Sequence, residues 1–237
     1  MRLDKFLTAT ATASRSEAAK MIRRGGVLVD GKVATSPAMQ IVPETSRVEY
    51  DGRTVVYRKF IYIMLNKPQG YVSATEDGRD KTVLELLPEK LRRLDLFPCG
   101  RLDKNTVGLM LLTNNGELGH RLLAPKSHVT KCYVFTVEKP LSDADVEILE
   151  NGVTISGGYV TKPASVVTNG DCLGGTIAIT EGKYHQIKLM MEAVGNKILT
   201  LERISFGPLV LDETLAEGEW RFLTETEIQK LESNGRN

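Results

Sequence analysis

Cysteine, histidine and tryptophan are all scarce in this 237-residue chain, with three, three and one respectively. The cysteines, Cys99, Cys132 and Cys172, are scattered and odd in number, and no C-x-x-C occurs. Neither a disulfide framework nor a zinc site is expected from such a set. Long apolar runs are also missing: nothing approaches the roughly 18 residues that a membrane span needs. The start, Met1-Arg2-Leu3-Asp4-Lys5, lacks the apolar core of a secretory signal, so a cytoplasmic protein with no membrane attachment is expected. No repeat or low-complexity tract interrupts the chain. With 41% hydrophobic residues it reads as globular, long enough for one large domain and one small one.

Charge of one sign is absent as well, since 31 Lys+Arg face 30 Asp+Glu, but the balance is uneven along the chain. Residues 1–58 carry 10 Lys+Arg against 6 Asp+Glu and the remainder 21 against 24, so the two parts hold net charges of +4 and −3. A basic module ahead of a slightly acidic body is the asymmetry expected when one part grips phosphates and the other does something else.

Within the basic part, Ser14 and Glu17 form a Ser-x-x-Glu capping box, Ala18, Ala19, Met21 and Ile22 give the following helix an apolar face, and Arg23-Arg24 close it. Val27-Leu28-Val29, the turn Asp30-Gly31 and Val33 read as a strand folding back on itself, and Arg47–Tyr50 as a second short strand ending at Asp51-Gly52. A boundary falls near residue 58. Beyond it, Phe60–Leu65 is strand-like and Thr82–Pro88 reads as a short helix stopped by proline. A strand after Asp103, a helix over 117–123, a strand over 132–137, a helix over 143–149 and several glycine-punctuated strands through 153–180 follow. In Tyr184–Val194, Ile187, Met190, Met191 and Val194 fall at helical spacing before Gly195, and Thr224-x-x-Glu227 announces another capped helix. The pattern is α+β with a mainly antiparallel sheet.

One string stands out: Gly100-Arg101-Leu102-Asp103-Lys104-Asn105-Thr106-Val107-Gly108-Leu109, a polar turn running into an apolar strand. In isolation, Leu-Asp-Lys-Asn-Thr is ordinary turn chemistry. The whole string closely resembles the Gly-Arg-Leu-Asp-x-x-Thr-x-Gly-Leu signature of the pseudouridine synthases, in which the Asp is the catalytic carboxylate. Two further strings match that family's first and third motifs, Lys67-Pro68-Gln69-Gly70-Tyr71 and Glu181-Gly182-Lys183-Tyr184-His185-Gln186-Ile187-Lys188. Leu201-Glu202-Arg203-Ile204 resembles a later segment. Residues 1 to about 50 resemble the S4 RNA-binding domain, in the order expected for the ribosomal RNA branch of the family. The short form is similar to the RsuA-type enzymes of the small subunit.

The resemblance implies a small S4-like domain over 1–58 and a pseudouridine synthase domain over 59–237, built on a mixed sheet with a central RNA cleft. It implies Asp103 as the carboxylate, acting either as nucleophile at ribose C1′ or as the base that removes a ribose proton; the residues leave both routes open. Lys188, otherwise an ordinary exposed helix lysine, is implied as the cation that pairs with Asp103, and an opposite charge within ~4–6 Å favours the ionised acid. Tyr133, otherwise a core strand tyrosine, is implied to stack on the uracil, and Leu201 to pack beneath it. Arg101, equally readable as a structural ion pair, could fill the gap or hold the phosphate when the uridine leaves its stack, a step costing roughly a few kcal/mol. Arg2, Lys5, Arg15, Lys20, Arg23 and Arg24 are the S4-module candidates for phosphate contacts, where each alone reads as a solvated charge.

Relatives commonly carry a second cation after the one corresponding to Lys188; here Leu189 stands in its place. His185 shows no partner acid in a recognisable pattern, so no acid–base role is assigned to it. The expected reaction, isomerisation of a uridine in 16S ribosomal RNA by a monomer, either free or in an assembling small subunit, needs no redox step and hence no cofactor. Three other readings are weighed beside it: a large-subunit (23S) relative, a non-catalytic ribosome-assembly factor, and a glycoside-cleaving hydrolase. The last normally wants two paired carboxylates, for which only Asp77 and Asp80 offer themselves.

Overall fold

A computed structural model describes residues 1–233. The chain forms two compact units, one comprising Met1–Ile61 with Leu87–Leu96, the other Tyr62–Leu86 with the chain from Phe97 onward.

In the first unit, helices α1 (Leu3–Ala9) and α2 (Arg15–Arg23) precede the strands β1 (Val27–Val29), β2 (Lys32–Val33), β3 (Val48–Tyr50) and β4 (Arg53–Thr54), arranged β2-β1-β3-β4. Helix α3 (Glu89–Arg92) belongs to the returning segment. The capping box at Ser14 forms as the sequence suggests, with Ser14 N–H donating to Glu17 Oε2 at 2.7 Å. Both turn pairs, Asp30-Gly31 and Asp51-Gly52, have positive φ at each residue, which is the requirement of a type I′ hairpin. Leu3, Phe6, Leu7, Ala18, Ile22, Val27 and Val48 form the core. Helix α1 escapes sequence reading because its N-cap is Arg2, which offers no capping oxygen.

The second unit is built on a nine-stranded sheet. Its strands β5 (Tyr62–Lys67), β6 (Phe97–Cys99), β7 (Val107–Thr113), β8 (Lys131–Val137), β11 (Ser165–Thr168), β12 (Gly174–Ile179), β13 (Ile198–Phe206), β14 (Leu209–Val210) and β15 (Trp220–Phe222) follow the order β11-β12-β8-β13-β7-β5-β15, with β6 on β7 and β14 on β13. A separate two-stranded ribbon joins β9 (Thr154–Ile155) to β10 (Tyr159–Val160). The helices are α4 (Gly116–Leu123), α5 (Asp143–Asn151), α6 (Gln186–Ala193) and α7 (Glu225–Ser233). Val83–Leu86, read as a short helix, is a 3₁₀ turn that ends before Pro88.

Every sheet pairing among the described strands is antiparallel except β13 with β7, which run parallel through Glu202 opposite Val107 and Arg203 opposite Gly108. This sheet is therefore the mixed, mainly antiparallel one expected. β5 is buried throughout and β7 almost throughout, as central strands covered on both faces must be. No helix among the described residues is long and apolar enough to cross a membrane.

The expected cap at Thr224 recruits a larger network. Glu227 Oε2 accepts the Thr224 N–H at 2.7 Å, and both its oxygens accept from the Arg221 guanidinium at 2.8 Å, while Arg221 Nε donates to Asp212 Oδ2 at 2.6 Å. Arg221 first, and then the Thr224 cap, hold Glu227 down to about 2 from its ordinary 4.5. A depressed acid contributes stability that is complete above its unfolded-state value and disappears as pH falls toward its folded one. Arg221→Met is accordingly expected to cost about 1 kcal/mol at pH 7, a solvent-screened magnitude. The gap in urea midpoint between variant and parent should close as pH drops from about 4.5 toward 2.

Candidate active site

Asp103 lies in the loop between β6 and β7, and that loop is fastened on both sides of it. On one side, Leu102 N–H donates to Ser73 Oγ at 2.9 Å and the Ser73 hydroxyl returns a bond to Leu102 O at 2.8 Å. On the other, the fully buried ammonium of Lys67 donates to Thr106 O at 2.8 Å, Pro68 O at 3.0 Å and Lys104 O at 3.3 Å. Burial pushes the Lys67 amine down to about 8, partly offset by the nearby Asp103 charge. Thr106 N–H closes the turn onto Asp103 O at 3.0 Å. With its backbone so constrained, Asp103 presents a carboxylate of fixed direction.

Helix α6 brings up the opposing charge. Lys188 Nζ stands 2.7 Å from Asp103 Oδ2, and each side chain is 26% exposed. The string before Lys188 is pinned by Gln186, whose side-chain N–H donates to Glu181 Oε1 at 2.7 Å and whose Oε1 accepts from Lys183 N–H at 2.9 Å. Leu189 follows, half-buried, and the ion pair forms without a second cation. His185 is the unexpected neighbour. Its Nε2 lies 3.6 Å from Asp103 Oδ1, so the acid that the local sequence lacks arrives from a distant loop.

These groups edge a cavity of about 570 Å³, a volume typical of small-molecule sites. Tyr133 on β8 and Arg203 on β13 are register partners, and the burial alternation of β8 places Lys131, Tyr133 and Phe135 on one sheet face. Tyr133 and Leu201 line the cavity, 7% and 6% exposed, and Arg101 lines it as an exposed side chain. Arg203, to which sequence reasoning assigned no role, is 1% exposed. Its Nε donates to Leu109 O at 2.8 Å, and its guanidinium lies 5.2 Å from the Phe206 ring centre. Alternation with Leu201 along β13 was the available signal for it. Cys99, buried close by, has its thiol pushed up to about 11 by burial, which marks it as an inert core group.

The acids weighed for a hydrolase are otherwise engaged. Asp77 Oδ1 accepts the N–H groups of Arg79 and Asp80 at 2.8 Å, and Asp80 pairs with Lys104 at 2.6 Å. Among the described residues no three His, Cys, Asp or Glu side chains group as metal ligands.

The first unit offers a separate set of cations. Lys5, Arg15, Lys20, Arg23 and Arg24 are all exposed, and Lys20, Arg23 and Arg24 fall at helical spacing on one face of α2 and its cap. Arg2 is already committed, holding Asp4 through bonds of 3.0 and 2.6 Å. That pair keeps the Asp4 carboxyl below its ordinary value.

A mixed sheet with a fastened carboxylate, a lysine partner and an aromatic-walled cavity fits an RNA-modifying isomerase. A family model of RNA pseudouridylate synthase matches residues 61–193 and one of the S4 domain matches residues 1–45, and the chain belongs to the RNA pseudouridine synthase family. It is 48% identical to YtzG of Bacillus subtilis, described as an uncharacterized RNA pseudouridine synthase, over 98% of both chains. It is 41% identical to ribosomal small subunit pseudouridine synthase A of Salmonella typhimurium, over 98% of this chain and 100% of that one. Among solved structures, a pseudouridylate synthase superposes with a TM-score of 0.69 at 37% identity, over 98% of this chain and 99% of that one.

Proposed function

We propose that this protein isomerises one uridine of small-subunit (16S) ribosomal RNA to pseudouridine, with Asp103 as the reacting carboxylate. The observation that carries the reading is the Asp103–Lys188 contact of 2.7 Å at the edge of a cavity that Tyr133 and Leu201 also line. Binding RNA alone would not call for a carboxylate aimed at a polyanion.

The bond from ribose C1′ to N1 breaks, the base turns while it stays bound, and C1′ bonds to C5. The proton leaves C5 and N1 gains one, so atoms and oxidation state are conserved. Asp103 attacks C1′ or removes a ribose proton, and Lys188, 2.7 Å away, holds the carboxylate's direction. Tyr133 stacks on the uracil and Leu201 packs beneath it, retaining the loose base. Arg101, exposed at the cavity, takes the flipped nucleotide's phosphate or the gap it leaves. The cations of the first unit hold phosphates elsewhere on the RNA, Lys5, Arg15, Lys20, Arg23 and Arg24 freely and Arg2 while paired to Asp4. The protein acts as a monomer, on 16S RNA or an assembling small subunit.

Lys188→Met is expected to lower kcat about 10²–10³-fold with a smaller change in KM, the size of effect found when one fixed electrostatic partner is removed. Lys188→Arg should restore most of the rate. Equal turnover by the methionine variant would remove the ion pair from the mechanism. The target is tested by mapping pseudouridine in 16S and 23S transcripts and in partly assembled small subunits. One new site, in 16S RNA, is expected; a site confined to 23S RNA would make this a large-subunit enzyme.

A further inference from the structure

Tyr184 is 75% exposed, more than any other large apolar side chain among the described residues. It lines the same cavity as Asp103. Its ring lies on that of His185 with 3.8 Å between centroids and 17° between planes, so one face is covered and the other open. The neighbouring lysine does not cover that face, because Lys183 Nζ sits 4.5 Å from the centre of the Tyr159 ring.

His185 has a φ of 51°, a left-handed conformation that side-chain-bearing residues adopt infrequently. Two contacts meet at its side chain: the Tyr184 ring covers a face of the imidazole, and Asp103 Oδ1 lies 3.6 Å from its Nε2. A ring stacked on a second ring is stiff, and a stiff, open aromatic face beside a nucleotide cleft suits one ligand class, a nucleobase.

We infer that Tyr184, backed by His185, is a stacking platform for the base flanking the target uridine. The inference rests on the isomerase reading of the Asp103 cleft. Tyr184 supplies the surface, and His185 acts through it as a positioning residue. Stacking needs only a π-face, so the platform tolerates any base identity, unlike a hydrogen-bonded reader.

The test uses the full-length protein and a short single-stranded RNA centred on the mapped uridine, in three forms: intact, abasic at the 5′ neighbour, and abasic at the 3′ neighbour. Tyr184→Ala is expected to raise KM about tenfold on intact RNA, with a smaller change in kcat. Tyr184→Phe and Tyr184→Trp should stay within twofold of the parent, since the ring and not the hydroxyl is used. With one of the two abasic RNAs, parent and Tyr184→Ala should converge, because the partner of the ring has been removed. Unchanged KM for Tyr184→Ala, or a defect that persists on both abasic RNAs, would overturn the platform while leaving the isomerase reading intact. A defect seen only on assembled particles would overturn it too, assigning Tyr184 to a protein contact. Failure of the parent to form pseudouridine on any RNA would remove the isomerase reading itself, and the platform with it.

Discussion

Asp103→Asn should reduce pseudouridine formation by at least about 10³-fold while leaving RNA affinity within a few-fold of the parent. The substitution keeps the size of the side chain and removes only its charge and basicity. An amide can neither attack C1′ nor accept a ribose proton, so both routes stop at the same residue. Structural damage should be small, because the loop is held by Ser73 and Lys67 through backbone atoms that the change does not touch. Asp103→Glu separates charge from position: the carboxylate survives but moves by about one methylene, and misplacement of about 1 Å costs on the order of 10²-fold. Single-turnover kinetics on excess enzyme, with binding measured separately, would read both variants. Retention of more than a tenth of the rate by Asp103→Asn would mean that another group does the chemistry.

Gly108→Ala is expected to damage the fold of the second unit more than any conservative surface change. At Gly108 the strands β7 and β13 meet in parallel, and the backbone adopts a φ of +98°. An added Cβ would lie 2.4 Å from Arg203 O and 2.8 Å from Arg203 N, closer than real Cβ atoms come. Relief by movement is blocked, since β13 is also paired along most of its length with β8. Strain and overpacking together should cost at least about 3 kcal/mol. The corresponding fall in Tm is roughly 6–12 °C for a unit of this size. Gly116→Ala is the control: it starts α4, and nothing lies within 4 Å of the added Cβ. Equal melting of the two variants would contradict the steric argument.

Local chemistry made part of this molecule readable in advance. Asp30-Gly31 and Asp51-Gly52 are turns because of their own conformational preferences, and the α6 face of Ile187, Met190 and Met191 is periodic because it is buried on one side. The family-like strings identified Asp103 and Lys188 as a pair, though their meeting is a contact across 85 residues that no local pattern encodes. β13 was obscured by its own geometry: register shifts between Ile198 and Thr200 and between Arg203 and Ser205 break the alternation that marks a strand. Arg203 keeps its alternation with Leu201, but a cation read locally suggests a solvated side chain, and its burial comes from the sheet around it. His185 shows the limit in another form. Its partner acid exists, but sequence adjacency was the wrong place to look for it.

The central claim is that a uridine is rearranged in the Asp103 cleft without its base being lost. The most direct test uses RNA labelled with ¹⁴C in the uracil ring, incubated with the intact protein and separated into free base, nucleoside digest and undigested strand. The expected result is that all label stays in the strand and part of it digests to pseudouridine, with Asp103→Asn yielding none. Labelled free uracil would identify a glycoside-cleaving hydrolase, and RNA that is bound but unchanged would identify an assembly factor; either would contradict the account.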